Sequence, residues 1–344
     1  MNTLSSPVPP PGLPWFRLGR GSFDALALLA LVALPLLAPG WQIDLVLKVL
    51  VLALFAVSLE LLVGHSGLVS LGHAAFFGIG AYVPALLASD AGPGALLTLA
   101  GAAMLAAAGY ALVVGLLTLR SQGIYFIMVT LAFGQLAYHL AHDTRLAGGT
   151  DGIYLYFRPL LQVAGSTLVD TEDRTQLYWL VLAALVATLV FLNLVLHSRF
   201  GRALAGVRVN ETRMRATGYA TYPYKVAIFV LAAVLAALAG FFQTVKDGFV
   251  SPESLSWHQS GAVLVMCILG GLGSLRGAVL GAVAFVALQE LFQSEALFGD
   301  FARHWQLGFG LAIIACVAAM PRGLVHLAGD LVNRLARRAP GASA

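Results

Sequence analysis

A basic stretch between two long apolar runs is the part of this sequence best suited to bind an acidic partner or lipid phosphates. Ser198–Lys225 reads SRFGRALAGVRVNETRMRATGYATYPYK and holds one acid, Glu211. Its six cations are Arg199, Arg202, Arg208, Arg213, Arg215 and Lys225. Because the flanking runs at 178–196 and 226–245 have membrane length, cations between them favour the cytoplasmic side. The stretch is therefore either a docking surface for a partner or an orientation signal that also contacts lipid phosphates.

The composition of the stretch predicts folded structure rather than a linker. Arg202–Val209 consists largely of good helix formers, and Asn210 can cap a second short helix that starts at Glu211. Gly218 would then end that helix. We predict a helical element of two short helices on the cytoplasmic face.

Two glycine-rich segments contain the remaining polar groups of interest. They are Gly64–Ala81 (GHSGLVSLGHAAFFGIGA) and Leu269–Ala282 (LGGLGSLRGAVLGA). Small residues let helices approach closely, which is the simple explanation of both segments. Close packing accounts less well for the polar residues of the first segment or for the Gly270–Gly273 interruption of the second. Irregular backbone at membrane depth occurs only where it faces protein or a wet cavity, and glycine-interrupted spans in two halves point to a transport site.

We therefore predict that both segments line a translocation route, with helix packing away from the route as the alternative. The candidate residues are Ser66, Ser70, Gly72, His73, Gly270, Gly271 and Gly273. His65 and His73 are interpreted as hydrogen-bonded packing residues or as cavity-lining ones. Glu60 and Glu290 lie late in apolar runs, where an acid is either functional or at the membrane interface.

The sequence contains no set of residues typical of an enzyme or a metalloprotein. It has no G-x-S-x-G elbow, no HExxH and no GxxxxGK[ST] phosphate loop, so we expect no ATP hydrolysis by this chain. Cys267 and Cys316 lie in apolar runs without disulfide or zinc spacing. We predict no catalytic residues, no metal site and no cofactor.

The composition places the chain in the membrane class. Apolar residues make up 59% and charged residues 10%, against roughly 25% charged residues in soluble domains. The excess of arginine is thus a membrane-orientation signal and not a sign of nucleic-acid binding. We predict an all-α, polytopic helical membrane protein of about ten segments, with eight or nine plus re-entrant or broken helices as the alternative. The predicted segments are 24–39, 43–63, 68–88, 95–117, 124–141, 178–196, 226–245, 260–270, 277–292 and 305–320.

Charge then orients these segments. We expect residues 1–22 to be a cytoplasmic N-terminal segment, followed by an uncleaved first span in a transmembrane domain over 23–321. The 322–344 tail, with four arginines, is expected in the cytoplasm together with 198–225. The 142–177 loop holds five acids and three arginines, and we place it outside.

Five motifs in this order resemble the permeases of branched-chain amino acid ABC importers, and more closely their M-type (LivM-like) subunit. The motifs cover about 220 residues: Gly64–Tyr82, Leu119–Gln135 (LRSQGIYFIMVTLAFGQ), Gly148–Ile153 (GGTDGI), Ser198–Lys225 and Ser251–Gly281. The order of the motifs is specific for the family. It is less specific for the substrate, since urea and short-chain amide importers have similar permeases.

The resemblance implies a multi-subunit importer of the bacterial inner membrane. A second, LivH-like permease subunit would pair with this chain, two ATP-binding subunits would bind beneath, and a periplasmic substrate-binding protein would deliver a hydrophobic amino acid. Lipid surrounds the pair, and no nucleic acid takes part. The resemblance also implies that 198–225 is the loop that docks on the ATPase. Its candidate residues are Gly201, Arg202, Arg208, Asn210, Glu211 and Gly218.

Two other classes of function compete with this interpretation. A secondary transporter or channel working alone would need acids or a proton relay in mid-membrane, and few acids here lie in mid-span. An intramembrane enzyme would need the catalytic set that the sequence lacks.

Overall fold

The computed structural model describes residues 31–35, 40–88, 94–163, 166–320 and 323–325, and most of them are helical. Twelve α-helices are described from residue 40 onward. They are α1 Gly40–Glu60, α2 His73–Leu87, α3 Leu96–Thr118, α4 Ile124–Asp143, α5 Arg174–His197, α6 Arg199–Val209, α7 Glu211–Ala216, α8 Thr221–Asp247, α9 Trp257–Gly270, α10 Leu275–Gln293, α11 Glu295–Phe298 and α12 Trp305–Ala319. The 1–22 segment, most of the predicted 24–39 span and all but three residues of the 322–344 tail lie outside the described residues.

Seven of these helical spans are long and apolar enough to cross a membrane. They are Gly40–Ser66, Leu96–Thr118, Ile124–Asp143, Arg174–His197, Thr221–Asp247, Leu275–Gln293 and Ala302–Ala319. Two shorter apolar helices, α2 and α9, overlap the predicted segments 68–88 and 260–270, although residues 68–72 are not helical. Every predicted segment within the described residues therefore contains a helix, and the polytopic helical class is confirmed.

Residues from Leu45 onward form one compact unit, and the part of α1 that belongs to it is deeply buried. Leu47, Phe55 and Leu59 on this helix are fully buried, while Leu307, Leu311 and Ile314 on α12 are exposed. Residues up to Asp44 form a separate unit, of which a helical stretch at 31–35 and the start of α1 are described.

Helices α2 and α8 cross closely through small residues. A Cβ on Gly80 would collide with the backbone of Ala237, and one on Gly240 would collide with the carbonyl of Phe77. The hydroxyl of Thr244 donates to the carbonyl of Ala81 at 2.8 Å beside this crossing. Glycine is needed on both helices because only bare backbone fits at this separation.

Short strands, which the sequence analysis did not predict, lie in the loops at one end of the bundle. Strand β1 (Ile153–Tyr154) pairs antiparallel with β4 (Phe249–Val250), and β2 (Leu160–Val163) pairs with β3 (Ser166–Asp170). These strands escape a sequence reading because each is only two to five residues long, too short for a clear alternation of apolar and polar residues. All of them lie outside the candidate membrane spans, so the all-α class of the membrane domain stands.

Helix α8 runs between two chemically distinct ends of the helix bundle. Its 27 residues span about 40 Å. At its start, the hydroxyl of Tyr222 donates to the carbonyl of Leu116 at 2.8 Å, beside the basic stretch 198–225. At its other end, Gly248 leads into β4. We call these the basic end and the strand end of the bundle.

Candidate functional site

The basic stretch folds into two helices, α6 and α7, which together with their flanks form the basic hairpin, Ser198–Gly218. The hydroxyl of Ser198 accepts the Gly201 amide at 3.4 Å, and the side-chain oxygen of Asn210 accepts the Arg213 amide at 2.8 Å. Gly218 follows α7 with a φ of +89°. The predicted pair of helices, the Asn210 cap and the glycine end are thus confirmed, with α6 starting at Arg199, three residues earlier than the predicted stretch.

Gly201 fixes the corner where α5 turns into α6. A Cβ at this position would collide with the carbonyl oxygen of Leu196, so a larger residue would push the two helices apart. Arg202, which is exposed, donates to the carbonyl of His197 at 2.8 Å across the same corner. The end of α5 therefore sets the direction of the basic hairpin.

Glu211 ties α7 to the start of α8. Its Oε1 accepts from Arg215 at 2.6 Å, from Lys225 at 2.9 Å and from the hydroxyl of Thr221 at 3.0 Å. Burial alone would raise the pKa of Glu211, but the hydrogen bonds from Lys225 and Thr221 and the Lys225 charge outweigh it, so the pKa lies below its ordinary value. Lys225 is only 4% exposed, so Glu211 supplies the counter-charge of a buried cation.

The other face of the basic hairpin is open to solvent. Val209, at the end of α6, is 84% exposed, and Tyr219 beyond Gly218 is 46% exposed. Arg202, Asn210 and Arg213 are also exposed. An exposed apolar residue rimmed by cations and an amide is a surface that a partner protein can cover.

Arg208 links the basic hairpin to the first glycine-rich segment. The last turn of α1 continues as a π-helix over Leu61–Ser66, and the Arg208 guanidinium donates to the carbonyl of Gly64 within it. The Cγ atom of Arg208 also lies 3.5 Å from the position of a Cβ on Gly67. In the same turn, the Ser66 hydroxyl donates to the carbonyl of Leu62 at 2.6 Å.

Gly72 and His73 lie at the start of α2, against the bundle interior. A Cβ on Gly72 would collide with the carbonyl of Thr130 on α4, and Gly134 faces it from the same helix. His73 is fully buried, with Nε2 2.9 Å from the Ser58 hydroxyl and its ring stacked on Phe55.

One hydroxyl serves two polar groups beside His73. The Ser58 hydroxyl lies 2.6 Å from the carbonyl of Phe55 and 2.9 Å from Nε2 of His73. Nδ1 of His73 has no partner among the described residues. Ser70, also fully buried, likewise has no described partner for its hydroxyl.

The second glycine-rich segment is broken where the sequence predicted an interruption. Helix α9 ends at Gly270 and α10 begins at Leu275, and we call Gly270–Ser274 the glycine break. Gly271 and Gly273 have φ values of +106° and +92°, which residues with a side chain rarely adopt. The Ser274 hydroxyl then accepts the Gly277 amide at 3.2 Å and caps α10.

Glu60 holds the glycine break in place, a role that sequence reasoning missed. The side chain is fully buried, and its Oε1 accepts from the amides of Gly273 and Ser274, the latter at 3.1 Å. Glu60 therefore faces protein, while its depth in the membrane stays a prediction. The only signal in the sequence was an acid four residues before Gly64 in an otherwise apolar run.

The predicted pathway residues fall in two places. Gly64 and the glycine break meet, because a Cβ on Gly64 would lie 2.8 Å from the Gly273 nitrogen. Gly72 instead packs against α4, and His73 against Ser58 and Phe55. Lining of a translocation route by these residues stays a prediction. Within the described ranges, no group of three or more His, Cys, Asp or Glu side chains could hold a metal ion.

Comparison with known proteins gives a family match over most of the chain. The family described as "Branched-chain amino acid transport system / permease component" matches residues 42–318. The high-affinity branched-chain amino acid transport system permease protein LivM of Salmonella typhimurium is 32% identical over 341 residues, covering 93% of this chain and 78% of that protein. The protein of the same name from Escherichia coli K12 is 32% identical over 327 residues, covering 87% and 75%.

A more distant relative carries a different substrate in its name. The autoinducer 2 import system permease protein LsrC of Klebsiella pneumoniae is 34% identical over 132 residues, or 36% of this chain and 37% of that protein. No solved structure matches the chain.

Proposed function

We propose a function in ATP-driven import on the premise that this chain belongs to the family of permease components of branched-chain amino acid transport systems. The chain is a multi-pass protein of the inner membrane. In our proposal it forms the passage for a branched-chain or related hydrophobic amino acid, and separate subunits hydrolyse the ATP.

The observation that carries this proposal is the basic hairpin. It is folded, capped at both helices and exposed on one side, while Glu211 and Arg208 attach its other side to α8 and to the end of α1. A segment that served only for orientation would need charge but no such attachment. We propose that the exposed side docks on an ATP-binding subunit, and that Gly201, Arg202, Arg208, Asn210, Glu211 and Gly218 form or shape the docking element.

The remaining partners follow from the same proposal. A second permease subunit completes the passage, and a periplasmic substrate-binding protein delivers the amino acid at the strand end. The basic end then faces the cytoplasm, in keeping with the excess of arginine in 198–225.

Reconstitution tests the function directly. The chain is co-purified with its partner subunits in proteoliposomes, and ATP-dependent uptake of radiolabelled leucine, isoleucine and valine is measured. A combined Gly201→Ala, Arg202→Glu and Glu211→Lys variant should lose co-purification of the ATP-binding subunits and uptake while staying in the membrane. A Glu172→Lys variant in the strand-end loop, also a charge reversal, is the matched control. Undiminished co-purification and uptake by the triple variant would refute the docking proposal.

Labelling from either side tests the orientation. A cysteine at exposed position 205, introduced as Ala205→Cys in a chain without Cys316, should react with a membrane-impermeant maleimide only after the cytoplasmic side is opened. Cys267 is buried and can remain. Labelling of position 205 in intact cells would show that the orientation is wrong.

A further inference from the structure

Two polar contacts connect the basic hairpin to the glycine break through the end of α1. The first is the bond from Arg208 to the carbonyl of Gly64. This carbonyl belongs to the π-helix Leu61–Ser66, where the regular i→i−4 hydrogen bonds of α1 are interrupted. A carbonyl in such a turn can take a side-chain donor without breaking a helix bond.

The second contact is the bond pair from the glycine break to Glu60, one helical turn before Gly64. One carboxylate oxygen accepts two successive amides, those of Gly273 and Ser274. Gly64 lies directly against this arrangement, because a Cβ there would collide with Glu60 Oε1 and crowd the Gly273 nitrogen. The chain of contacts therefore runs without a gap from Arg208 through Gly64 and Glu60 to Gly273.

The two amide bonds to Glu60 do not serve to cap helix α10. Helix α10 has its own N-cap in Ser274, which accepts the Gly277 amide. The bonds to Glu60 fall on Gly273 and Ser274, ahead of the first turn, so they attach the break to α1 and are not needed to begin α10. Two amide bonds to one buried carboxyl oxygen are directional and costly to leave unmade, which suits a rigid connection.

We propose that Glu60 is a positioning residue that passes displacement of the basic hairpin to the glycine break. The inference rests on the proposed function, in which a partner moves the basic hairpin during each transport cycle. When the hairpin moves, Arg208 pulls on the Gly64 turn, and Glu60 carries the break with it. The two positive-φ glycines allow the break to bend, so α9 and α10 change their relative angle.

The molecule offers a matched control on the same pair of helices. Lys48 on α1 and Glu290 on α10 form an ion pair at 3.2 Å, and both side chains are partly exposed. This pair also links α1 to α10, but it touches neither the glycine break nor the basic hairpin. Loss of Glu290 should therefore leave energy coupling intact, whereas loss of Glu60 should not.

The experiment compares ATP hydrolysis and uptake in the reconstituted complex. The variants are Glu60→Ala, Glu60→Gln, Arg208→Ala and Glu290→Ala. We expect Glu60→Ala and Arg208→Ala to lower uptake per ATP hydrolysed by on the order of tenfold, the effect of losing a buried hydrogen bond to a charged group. Complex assembly and ATP hydrolysis should persist in Glu60→Ala, and for Arg208→Ala the ratio is measured on the complex that still assembles. Glu60→Gln keeps an oxygen that can accept from both amides, so it should retain most of the wild-type uptake per ATP hydrolysed. Glu290→Ala should retain it as well.

A double variant separates a shared connection from two independent defects. If Arg208 and Glu60 act in one chain of contacts, Arg208→Ala combined with Glu60→Ala should be no worse than the worse single variant. A double variant whose loss is the product of the two single losses would overturn the inference. It would also be overturned if Glu60→Ala kept the wild-type uptake per ATP, or lost uptake and hydrolysis equally. An equal fall in uptake per ATP in Glu60→Gln and Glu60→Ala would overturn it as well.

Two further results must be interpreted separately: failure of the Glu60→Ala complex to assemble, and absence of uptake by the wild type. If Glu60→Ala does not assemble, the exposed Arg208→Ala variant decides, and an unchanged ratio in that variant overturns the inference. If the wild-type complex takes up no amino acid with ATP, the proposed function itself fails, and the inference falls with it. The wild-type measurement alone thus distinguishes failure of the function from failure of the Glu60 connection.

Discussion

The basic hairpin and the glycine break are both short interruptions between apolar helices, but different kinds of contact hold them in place. Side-chain charges attach the hairpin, where Glu211 accepts from Arg215 and Lys225 while most neighbouring residues are exposed. Backbone groups attach the break, where the buried Glu60 accepts from two amides and glycines provide the contact surfaces.

The difference teaches which changes each region can tolerate. Charged side chains at a partly exposed site can be exchanged at moderate cost, because water replaces part of a lost ion pair. A buried backbone contact allows no such replacement, since any added side chain displaces the backbone itself. We therefore expect mutations in the glycine break to act on the fold first, and mutations in the basic hairpin to act on docking first.

The largest effect should come from Gly271→Leu in the glycine break. Its φ of +106° strains any other residue, and its backbone is closely packed, since a Cβ on Gly323 would collide with the Gly271 Cα. Strain and overpacking together should lower the free energy of unfolding by about 3 kcal/mol. Thermal unfolding of the purified protein in detergent measures this. Gly261→Leu on α9, with no neighbouring atom within 4 Å of its Cβ position, is the control. Equal stability of the two variants would contradict the role of backbone contact.

Glu211→Ala should have the next largest effect. It leaves Lys225, only 4% exposed, without this carboxylate, and should lower the free energy of unfolding by about 2 kcal/mol, between the values for exposed and buried pairs. Adding Lys225→Met should recover part of that loss because it removes the buried charge. Thermal unfolding of both variants is again the measurement. A double variant less stable than Glu211→Ala would show that Lys225 has another anionic partner.

A smaller and local effect should follow from Asn210→Ala. The substitution removes the side-chain oxygen that caps the Arg213 amide, which should cost α7 about 1 kcal/mol. Hydrogen exchange of the amides over 211–216 should accelerate while that of the glycine break stays unchanged. Thr212→Ala, an exposed position in the same helix, is the control. Acceleration at the break as well would mean that the two regions unfold together.

The smallest effect should appear on acidification. Since the pKa of folded Glu211 is lowered, its ion pairs stabilise the protein above the ordinary carboxyl pKa of about 4.3, and this contribution is lost as the pH falls through the lower folded value. The stability difference between wild type and Glu211→Gln should therefore shrink from pH 7 towards pH 3, by less than about 1 kcal/mol for this partly exposed group. A difference that grows on acidification would mean that the sign of the pKa shift is wrong.

The basic hairpin could be predicted almost completely because its signals are local. Asn210, Glu211 and Gly218 are a cap, a first-turn acid and a helix end within nine residues, and each acts on backbone that adjoins it in sequence. The membrane helices were equally predictable, since apolar runs of this length have few alternatives.

The partners of Glu60 could not be predicted, because they depend on contacts distant in sequence. Gly273 lies 213 residues from Glu60, and nothing near either residue indicates the other. The same limit applies to His73, whose partner Ser58 belongs to the preceding helix. The glycines marked where backbone irregularity would occur, and only the packing of α1 against α9 and α10 determined what holds it.

The strand end gives α8 a fixed attachment. Arg174 and Arg158 donate to the carbonyl of Lys246 at 2.9 and 3.4 Å, and the Leu155 amide donates to the carbonyl of Gly248 at 2.9 Å, next to the β1–β4 pair. Motion of the opposite end of α8 is then a tilt about this anchor. Lys225 and Lys246 are about 32 Å apart along the helix, so a shift of about 1 Å at Lys225 corresponds to a rotation of about 2°. With this anchor, we expect any displacement of α8 to be largest beside the basic hairpin and smallest at the two arginines.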